Sequence, residues 1–564
     1  METRRLVLVL TGIAVALVVV LGGLTVILVA GGGDDDDGAP SAGDDGGDDD
    51  IGGDDDDGPD LGDRVEGELR LFGPDPITLD PACASDAGSA EYIVEIFSGL
   101  VSFDRDLNLI PDIAESWEMS PDGTVYTFTL RSDVIFHDNS RPVSAQDFKF
   151  SMERALNRAT QSTVGDVYLD DLVGAEEFAN GDLDEIPGIR VVDPQTLELT
   201  ITEPSSVFLE KLTYPTAYVV DEREVGDSTC FEGNWTLNPN GTGPFKMGQW
   251  DLGRKIVLEA NERYYLDPAP SLARVTYILS GGSSFVMYEN DEVDVTGIGI
   301  NNIESVRDPN NELNADLKSG PSLDVFYIGF NTQEPPFDDP LVRRALSMAI
   351  NREFLAHEFL LDLVVPANGV VPPGMPGYNE SLAPIPFDAE AARELLDQAG
   401  GTGILEDATI LTSGQGAAPS DILQAVTAMW EAELGVTITI EQEDFGLFLR
   451  DIDEGNFSLF SLGWIADYPD PQNFLEIKLH SESPNNESAY SNPEVDSLLD
   501  QAAAEEDEEA RIALYQEAEE LIMQDMPWAP LYHGQASYLV KPYVEGYEVP
   551  PFVIPNLRYV SINR

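Results

Sequence analysis

Gly463-Trp464-Ile465-Ala466-Asp467-Tyr468-Pro469-Asp470-Pro471 holds the residues best suited to chemistry in this 564-residue chain. An aromatic and a carboxylate stand three residues apart, at the end of the apolar run Phe457–Leu462. Such a run reads as a strand that reaches its lip and breaks at two prolines, which continue neither a ladder nor a helix. Trp464 offers a broad apolar wall and Asp467 a fixed anion beside it. A carboxylate in a low dielectric needs a cationic partner or shifts its pKa, and a ligand ammonium would serve. The same residues also suit a plain strand end and turn, with Asp467 capping backbone amides.

The elements that must position this segment alternate between strand and helix. Thr124–Leu130 puts Tyr126, Phe128 and Leu130 on one face of a half-buried strand. Ser144 caps a helix over Ala145–Leu156, with Phe148, Phe150 and Met152 as its apolar positions. Asp339-Pro340 opens another, whose stripe is Leu341, Val342, Ala345, Leu346, Ala349 and Ile350. Asp388 caps Ala389–Ala399 and Gly400 stops it. Val436–Glu441 reads as a strand and Arg511–Asp525 as a helix ending before Pro527. The class is mixed α/β, and about 500 residues of folding chain suffice for two or three large lobes.

Charge excludes one class of partner. The net charge is −74, and Lys supplies only seven of the 30 cations. Residues 1–60 carry a net of −13, which leaves −61 for the body. Without clustered Lys and Arg, nucleic acid is a poor partner. A carboxylate-dense, Lys-poor surface suits high ionic strength, where the Debye length shrinks to about 3 Å at 1 M salt; a merely acidic, highly soluble protein is the plainer reading.

The N-terminus points to a membrane. Arg4 and Arg5 precede Leu6–Ala30, a stretch without a charge. As a helix it measures about 37 Å, enough to span a bilayer with tilt, and longer than the apolar core of a cleaved signal, about 7–15 residues. The arginines predict an inside N-terminus and an outside body. Gly32 stands where a lipoprotein signal after Leu28-Val29-Ala30-Gly31 needs Cys, so no lipid attachment is expected there; residues 1–30 are read as an uncleaved transmembrane anchor, with a cleaved signal segment as the alternative. Residues 31–65, built of Gly and Asp, lack apolar surface and repel themselves, which predicts a disordered tether. Two cysteines, Cys83 and Cys230, could close a disulfide outside the cell or stay as buried thiols. No C-x-x-C, G-x-S-x-G, Walker A or H-E-x-x-H motif occurs, and the four histidines (137, 357, 480, 533) are scattered. His137 is read as supporting a turn. No enzyme, metal or cofactor is expected.

Several ordered segments resemble the family 5 extracellular solute-binding proteins, the peptide, dipeptide and nickel binding components of ABC importers. They are Ile96-Phe97-Ser98-Gly99-Leu100-Val101, Pro111-Asp112-Ile113-Ala114-Glu115-Ser116-Trp117, Asp122-Gly123-Thr124-Val125-Tyr126-Thr127-Phe128 and Phe136-His137-Asp138. Gly241-Thr242-Gly243-Pro244-Phe245, Phe330-Asn331 and Arg343-Arg344-Ala345-Leu346 continue the pattern. The last third, with Trp464 to Tyr468 and Leu539-Val540-Lys541-Pro542-Tyr543, is most similar to oligopeptide binders. The resemblance covers residues 66–564 and implies a periplasmic-binding-protein type II flytrap, two α/β lobes plus an extra domain. Lobe I would combine 66–96, 215–325 and 530–564; the extra domain would be 97–214 and lobe II 326–529, with hinge crossings near 325 and 530.

The implied function is capture of short peptides and delivery to an ABC permease and ATPase complex, by a monomer held at the outer face of the membrane. A ligand-sensing receptor and a nickel or metal-chelate carrier are the alternatives on this fold, an extracellular hydrolase a remote one. Asp467 matches the carboxylate that takes a peptide α-ammonium, and Trp464 a ligand-lining aromatic. Backbone at Gly463, Trp464 and Ile465 would pair with the ligand as an added strand. The opposite rim falls near Ala82–Asp86, with Ala84 and Ser85 as its contacts. Ser461 stands where some oligopeptide binders carry an Arg for the peptide carboxylate, so selection of one peptide length is not implied.

Overall fold

A computed structural model of the chain describes residues 64–230, 233–414, 419–483, 485–505 and 507–564. The expected anchor 1–30 and all of the expected tether except its last two residues lie outside the described residues. Among the described residues no helix is long and apolar enough to cross a membrane. Arg64 and Val65, expected at the end of the tether, make contacts of the body instead. Arg64 Nη1 donates to both oxygens of Asp294 at 2.9 and 2.8 Å, and the Val65 amide donates to Glu68 Oε2 at 3.1 Å.

One long mixed sheet organises the body. Its strands lie in the order Thr439–Glu443, Thr409–Ser413, Leu459–Ile465, Asp324–Phe330, Trp528–Val540, Val295–Gly297, Glu68–Phe72, Arg274–Ile278, Lys255–Ala260 and Phe245–Asp251. Leu317–Pro321 and Val364–Pro366 join the strand Trp528–Val540 off that path. That strand belongs to both halves of the sheet. Its first residues pair with Asp324–Phe330, and Gln535 to Leu539 pair with Leu317–Pro321. Pro530 cannot donate to a ladder, and the register with Asp324–Phe330 shifts beside it, between Phe326 and Tyr327.

The change of partner falls at His533-Gly534, opposite Ser322-Leu323-Asp324, and hydrogen bonds cross it. The Gly534 amide donates to Asp324 Oδ1 at 2.6 Å and the Ser322 amide to the Gly534 carbonyl at 3.1 Å. His533 Nδ1 lies 2.8 Å from the Asp324 carbonyl oxygen. A Cβ at position 534 would come within 2.5 Å of Asp324 Oδ2, so a glycine is needed there.

A separate four-stranded antiparallel sheet is formed by Ala114–Met119, Val125–Leu130, Thr196–Thr200 and Ile189–Asp193. Tyr126, Phe128 and Leu130 point into its core, against Phe148 and Met152 of the helix Ala145–Leu156. Ser144 and Asp147 form a reciprocal capping box at the start of that helix. Asp339 and Asp388 cap Pro340–Met348 and Ala389–Ala399 as their sequences predict, each accepting a first-turn amide.

Two element starts move by three residues. The strand expected over Val436–Glu441 runs Thr439–Glu443: Gly435 ends the preceding helix in a left-handed conformation, and Val436 and Ile438 are buried in the lead-in before pairing begins at Thr409. The helix expected from Arg511 starts at Glu508, because Asp507 caps it by accepting the Ala510 amide.

Candidate functional site

The strand Leu459–Ile465 carries its apolar residues inward at one end and opens at the other. Leu459 and Phe460 are fully buried, whereas Ser461 through Ile465 are each half-buried. Its inner edge pairs along its whole length with Asp324–Phe330. On the outer edge, pairing with Thr409–Ser413 stops after Phe460. Among the described residues, the outer backbone edge from Ser461 to Ile465 therefore pairs with no strand, and such an edge is a template for an extended chain. Gly463 is small for a reason: a Cβ there would sit 2.8 Å from the Phe326 ring, which stacks on Tyr532.

Beyond Ile465 the chain leaves the sheet, since Pro469 and Pro471 have no amide to donate. The helix Gln472–Leu479 then folds back beneath the strand and supports the two candidate ligand groups. Asn473 is fully buried, and its Oδ1 accepts from Trp464 Nε1 at 3.1 Å and from the Asp467 amide at 3.2 Å. Its Nδ2 donates to Asp467 Oδ2 at 3.2 Å. One amide side chain thus fixes the indole and the carboxylate relative to each other. Lys478, five residues on, places its ammonium 4.4 Å from the Trp464 ring centroid and pairs with Glu487.

Facing Asp467 from another part of the chain is Tyr168, on the short helix Gly165–Leu169. Its ring stacks on Tyr214 with centroids 3.6 Å apart and planes 10° from parallel. The Tyr214 hydroxyl donates to the Ala84 carbonyl at 3.4 Å. Two tyrosines therefore connect the Asp467 side to the rim expected at Ala82–Asp86. Ala84 is buried and Ser85 half-buried, just before Asp86, which caps the helix Ala87–Ile96. That rim is held from behind. Cys83 and Cys230 are disulfide-bonded, with Cα atoms 5.5 Å apart, which settles the pairing that the sequence leaves open. Asp80 pairs with Arg154, and Ser162 Oγ donates to the Ala82 carbonyl at 2.6 Å.

Burial pushes the Asp467 carboxyl from its ordinary 3.8 up to about 6; hydrogen bonds from Asn473 and Tyr168 and the positive charge of Lys478 oppose the rise. Among the described residues no Lys or Arg lies within ion-pair distance of Asp467. It is a buried acid whose hydrogen-bond partners are neutral and whose charge no neighbouring Lys or Arg neutralises by direct contact. Next to it Asp470 is committed to Arg511 and to the Gln472 amide, so it is occupied structurally. His137, read as a turn support, has Nε2 3.0 Å from the Gly243 carbonyl oxygen, and burial lowers its pKa to about 4.

Sequence reasoning missed Asn473, Lys478, Tyr168 and Tyr214. Asn473 and Lys478 lie on the next element. The tyrosines lie some 250–300 residues earlier, and no local pattern singles them out.

Comparison with known proteins agrees with this architecture. The family described as bacterial extracellular solute-binding proteins, family 5 Middle, matches residues 108–486. The periplasmic oligopeptide-binding protein OppA of Escherichia coli is 30% identical over 497 residues, covering 85% of this chain and 89% of its own length. The probable deoxycholate-binding periplasmic protein YgiS of the same organism is 31% identical over 485 residues, covering 84% and 89%. Among solved structures, the periplasmic binding protein DppA of Helicobacter pylori, in complex with the peptide STSA, superposes with a TM-score of 0.71 at 27% identity, covering 89% of this chain and 99% of that one. The fold is the mixed α/β fold of type II periplasmic binding proteins. The chain belongs to the bacterial extracellular solute-binding proteins of family 5.

Proposed function

We propose that this protein is the extracytoplasmic binding component of an ABC importer, and that it captures short peptides by their free amino terminus. The observation that carries this reading is Asp467: a carboxyl in a mostly desolvated position, oriented by Asn473, beside Trp464 and, among the described residues, with no Lys or Arg at ion-pair distance. The unpaired backbone edge from Ser461 to Ile465 supplies hydrogen bonds that do not depend on ligand side chains. Ser461 and its neighbours offer no cation for a peptide carboxylate, which favours tolerance of peptide length. The similarity to OppA and to peptide-loaded DppA supports a peptide ligand. Asp467 disfavours the anionic sterol named for YgiS, since two carboxylates repel in a low dielectric.

In this reading, the lobes 66–96 with 215–325 and 530–564, and 326–529, close over the ligand. The extra domain 97–214 brings Tyr168 to Asp467. The hinge is the exchange of partners at Ser322–Asp324 and His533-Gly534. A ligand that touches both lobes biases that equilibrium toward closure. Residues 1–30 anchor a monomer to the membrane and residues 31–63 tether it. The protein catalyses nothing and delivers its peptide intact.

Calorimetry of the purified body with a peptide pool at several salt concentrations tests the reading, with nickel, deoxycholate and a chromogenic peptide as separate titrants. Heat with peptides, none with nickel, and recovery of uncleaved peptide are the expected results. Nickel heat without peptide heat would reverse the assignment. Permease and ATPase genes beside this one would favour import, and a histidine kinase gene would favour sensing.

A further inference from the structure

Lys478 is in an unusual place for a cation. It is one of seven lysines in the chain, its side chain is 2% exposed, and its ammonium lies under the indole of Trp464. The side chain of its partner Glu487 is 9% exposed, and among the described residues the second carboxylate oxygen of Glu487 has no hydrogen-bond partner. Desolvating two charges costs several kcal/mol each, and an apolar pair of similar volume often serves stability equally well. The helix Gln472–Leu479 could pack through its buried Phe474, Leu475 and Leu479 alone. The ion pair is therefore explained poorly by stability and well by what lies above it.

Above it are the two groups of the candidate site. The groups facing Asp467 are Asn473 and Lys478 from the helix below, Tyr468 from its own segment, and Tyr168 and Tyr214 from across the cleft. Lys478 is the one cation among them. Glu487 stands behind it. We propose that Lys478 is a positioning residue for capture of the ligand amino terminus: it clamps the inner face of Trp464 and supplies the positive field that keeps Asp467 a carboxylate. This rests on the reading of Asp467 as the ligand anchor.

The electrostatic sense is definite. Burial has already moved the Asp467 carboxyl to about 6. An opposite charge within about 4–6 Å lowers a carboxyl by about 1–3 units. Lys478 acts on Asp467 less than burial and the hydrogen bonds of Asn473 and Tyr168 do, and Glu487 opposes it, which puts its effect below that range. Without Lys478 the midpoint approaches neutrality, and a protonated Asp467 holds an ammonium weakly.

The test uses full-length protein carrying 5-fluorotryptophan, with the Trp464 fluorine resonance, one of six, assigned through Trp464→Phe. It is titrated without ligand between pH 4 and 9 in the native protein, Lys478→Met, Lys478→Arg and the double variant Lys478→Met/Glu487→Gln. The double variant leaves no stranded charge, and so serves if the single one fails to fold. The expected midpoint is about 6 in the native protein. It should rise by about 0.5–1 unit when Lys478 is lost and return with Arg. Affinity for trialanine should then fall about 3–8-fold at pH 5.5 and little at pH 8.5, a pH-dependent ratio that simple loss of packing does not produce. An unmoved midpoint, or a loss of affinity equal at every pH, overturns the role of Lys478. A moved midpoint with equal binding of trialanine and N-acetyl-trialanine upholds the tuning by Lys478 and overturns the anchor reading instead.

Discussion

Asp467→Asn separates a ligand anchor from a turn residue, because the two roles predict opposite changes in stability. The substitution keeps shape and removes charge. In the closed cleft it strands the ligand ammonium, a change that typically costs about 2–5 kcal/mol. Peptides with a free amino terminus should bind at least about 30-fold more weakly, whereas N-acetylated peptides should lose little. The ligand-free protein should change in the other direction. The folded-state carboxyl is raised from 3.8 to about 6, so the folded protein holds a proton where the unfolded chain has released it. Stability contributed by that proton is complete below about pH 4, declines as pH rises through 6 and is absent above it. At neutral pH the ionised Asp467 is thus a liability of about 1–2 kcal/mol, discounted from the full shift for partial solvent contact.

Asp467→Asn should therefore raise the melting temperature of the ligand-free protein at pH 7.5 and leave it unchanged at pH 4. Calorimetry with matched free and acetylated peptides and differential scanning calorimetry at the two pH values measure both effects. Near-native affinity for free peptides would refute the anchor. So would a lower melting temperature with both peptide types weakened alike, the signature of a damaged turn.

Three other outcomes are expected. Gly463→Val drives a side chain into the Phe326 ring and should lower the melting temperature and weaken free and acetylated peptides equally, as judged by the same calorimetry. Cys83→Ser with Cys230→Ser removes a closure of 147 residues and should cost about 2–4 kcal/mol in denaturant unfolding, with peptide affinity reduced because the Ala84 rim loses its rear support. Deleting residues 1–30 should release a soluble protein with undiminished peptide binding; a truncated body that still pellets with membranes in high salt would contradict the anchor.

Local signals were read most accurately where the physics is local. Ser144, Asp339-Pro340 and Asp388 mark helix starts to the residue because a cap acts on the amides within one turn of it. Val436 misled because its β-branched, apolar character reflects burial, whereas strand pairing starts only where Thr439 meets Thr409. The same division runs through the site. Gly463, Trp464 and Asp467 are visible as a strand-end motif, since one short segment presents them all. Asn473 and Lys478 reach Trp464 and Asp467 only when a helix folds back under that segment. Tyr168, with Tyr214 stacked on it, reaches Asp467 only when a distant part of the chain is brought against that segment. Composition allows a disulfide but cannot pair Cys83 with Cys230, because the approach of their backbones is a property of the assembled fold.

The carboxylate of Asp294 receives Arg64, the first described residue, and also Arg564, the last, whose Nη2 lies 3.0 Å from Oδ1. Positions 64 and 564 are therefore neighbours across a single carboxylate, and a short Gly/Ser bridge can link them directly. New ends could open at a solvent-exposed turn such as that at Gly181, where an added Cβ meets nothing within 4 Å. Circular permutants of this kind tolerate insertions best where backbone is exposed and lightly bonded. A fluorescent protein spliced at the permuted ends would report any change of shape on peptide binding, turning a capture protein for transport into a peptide sensor.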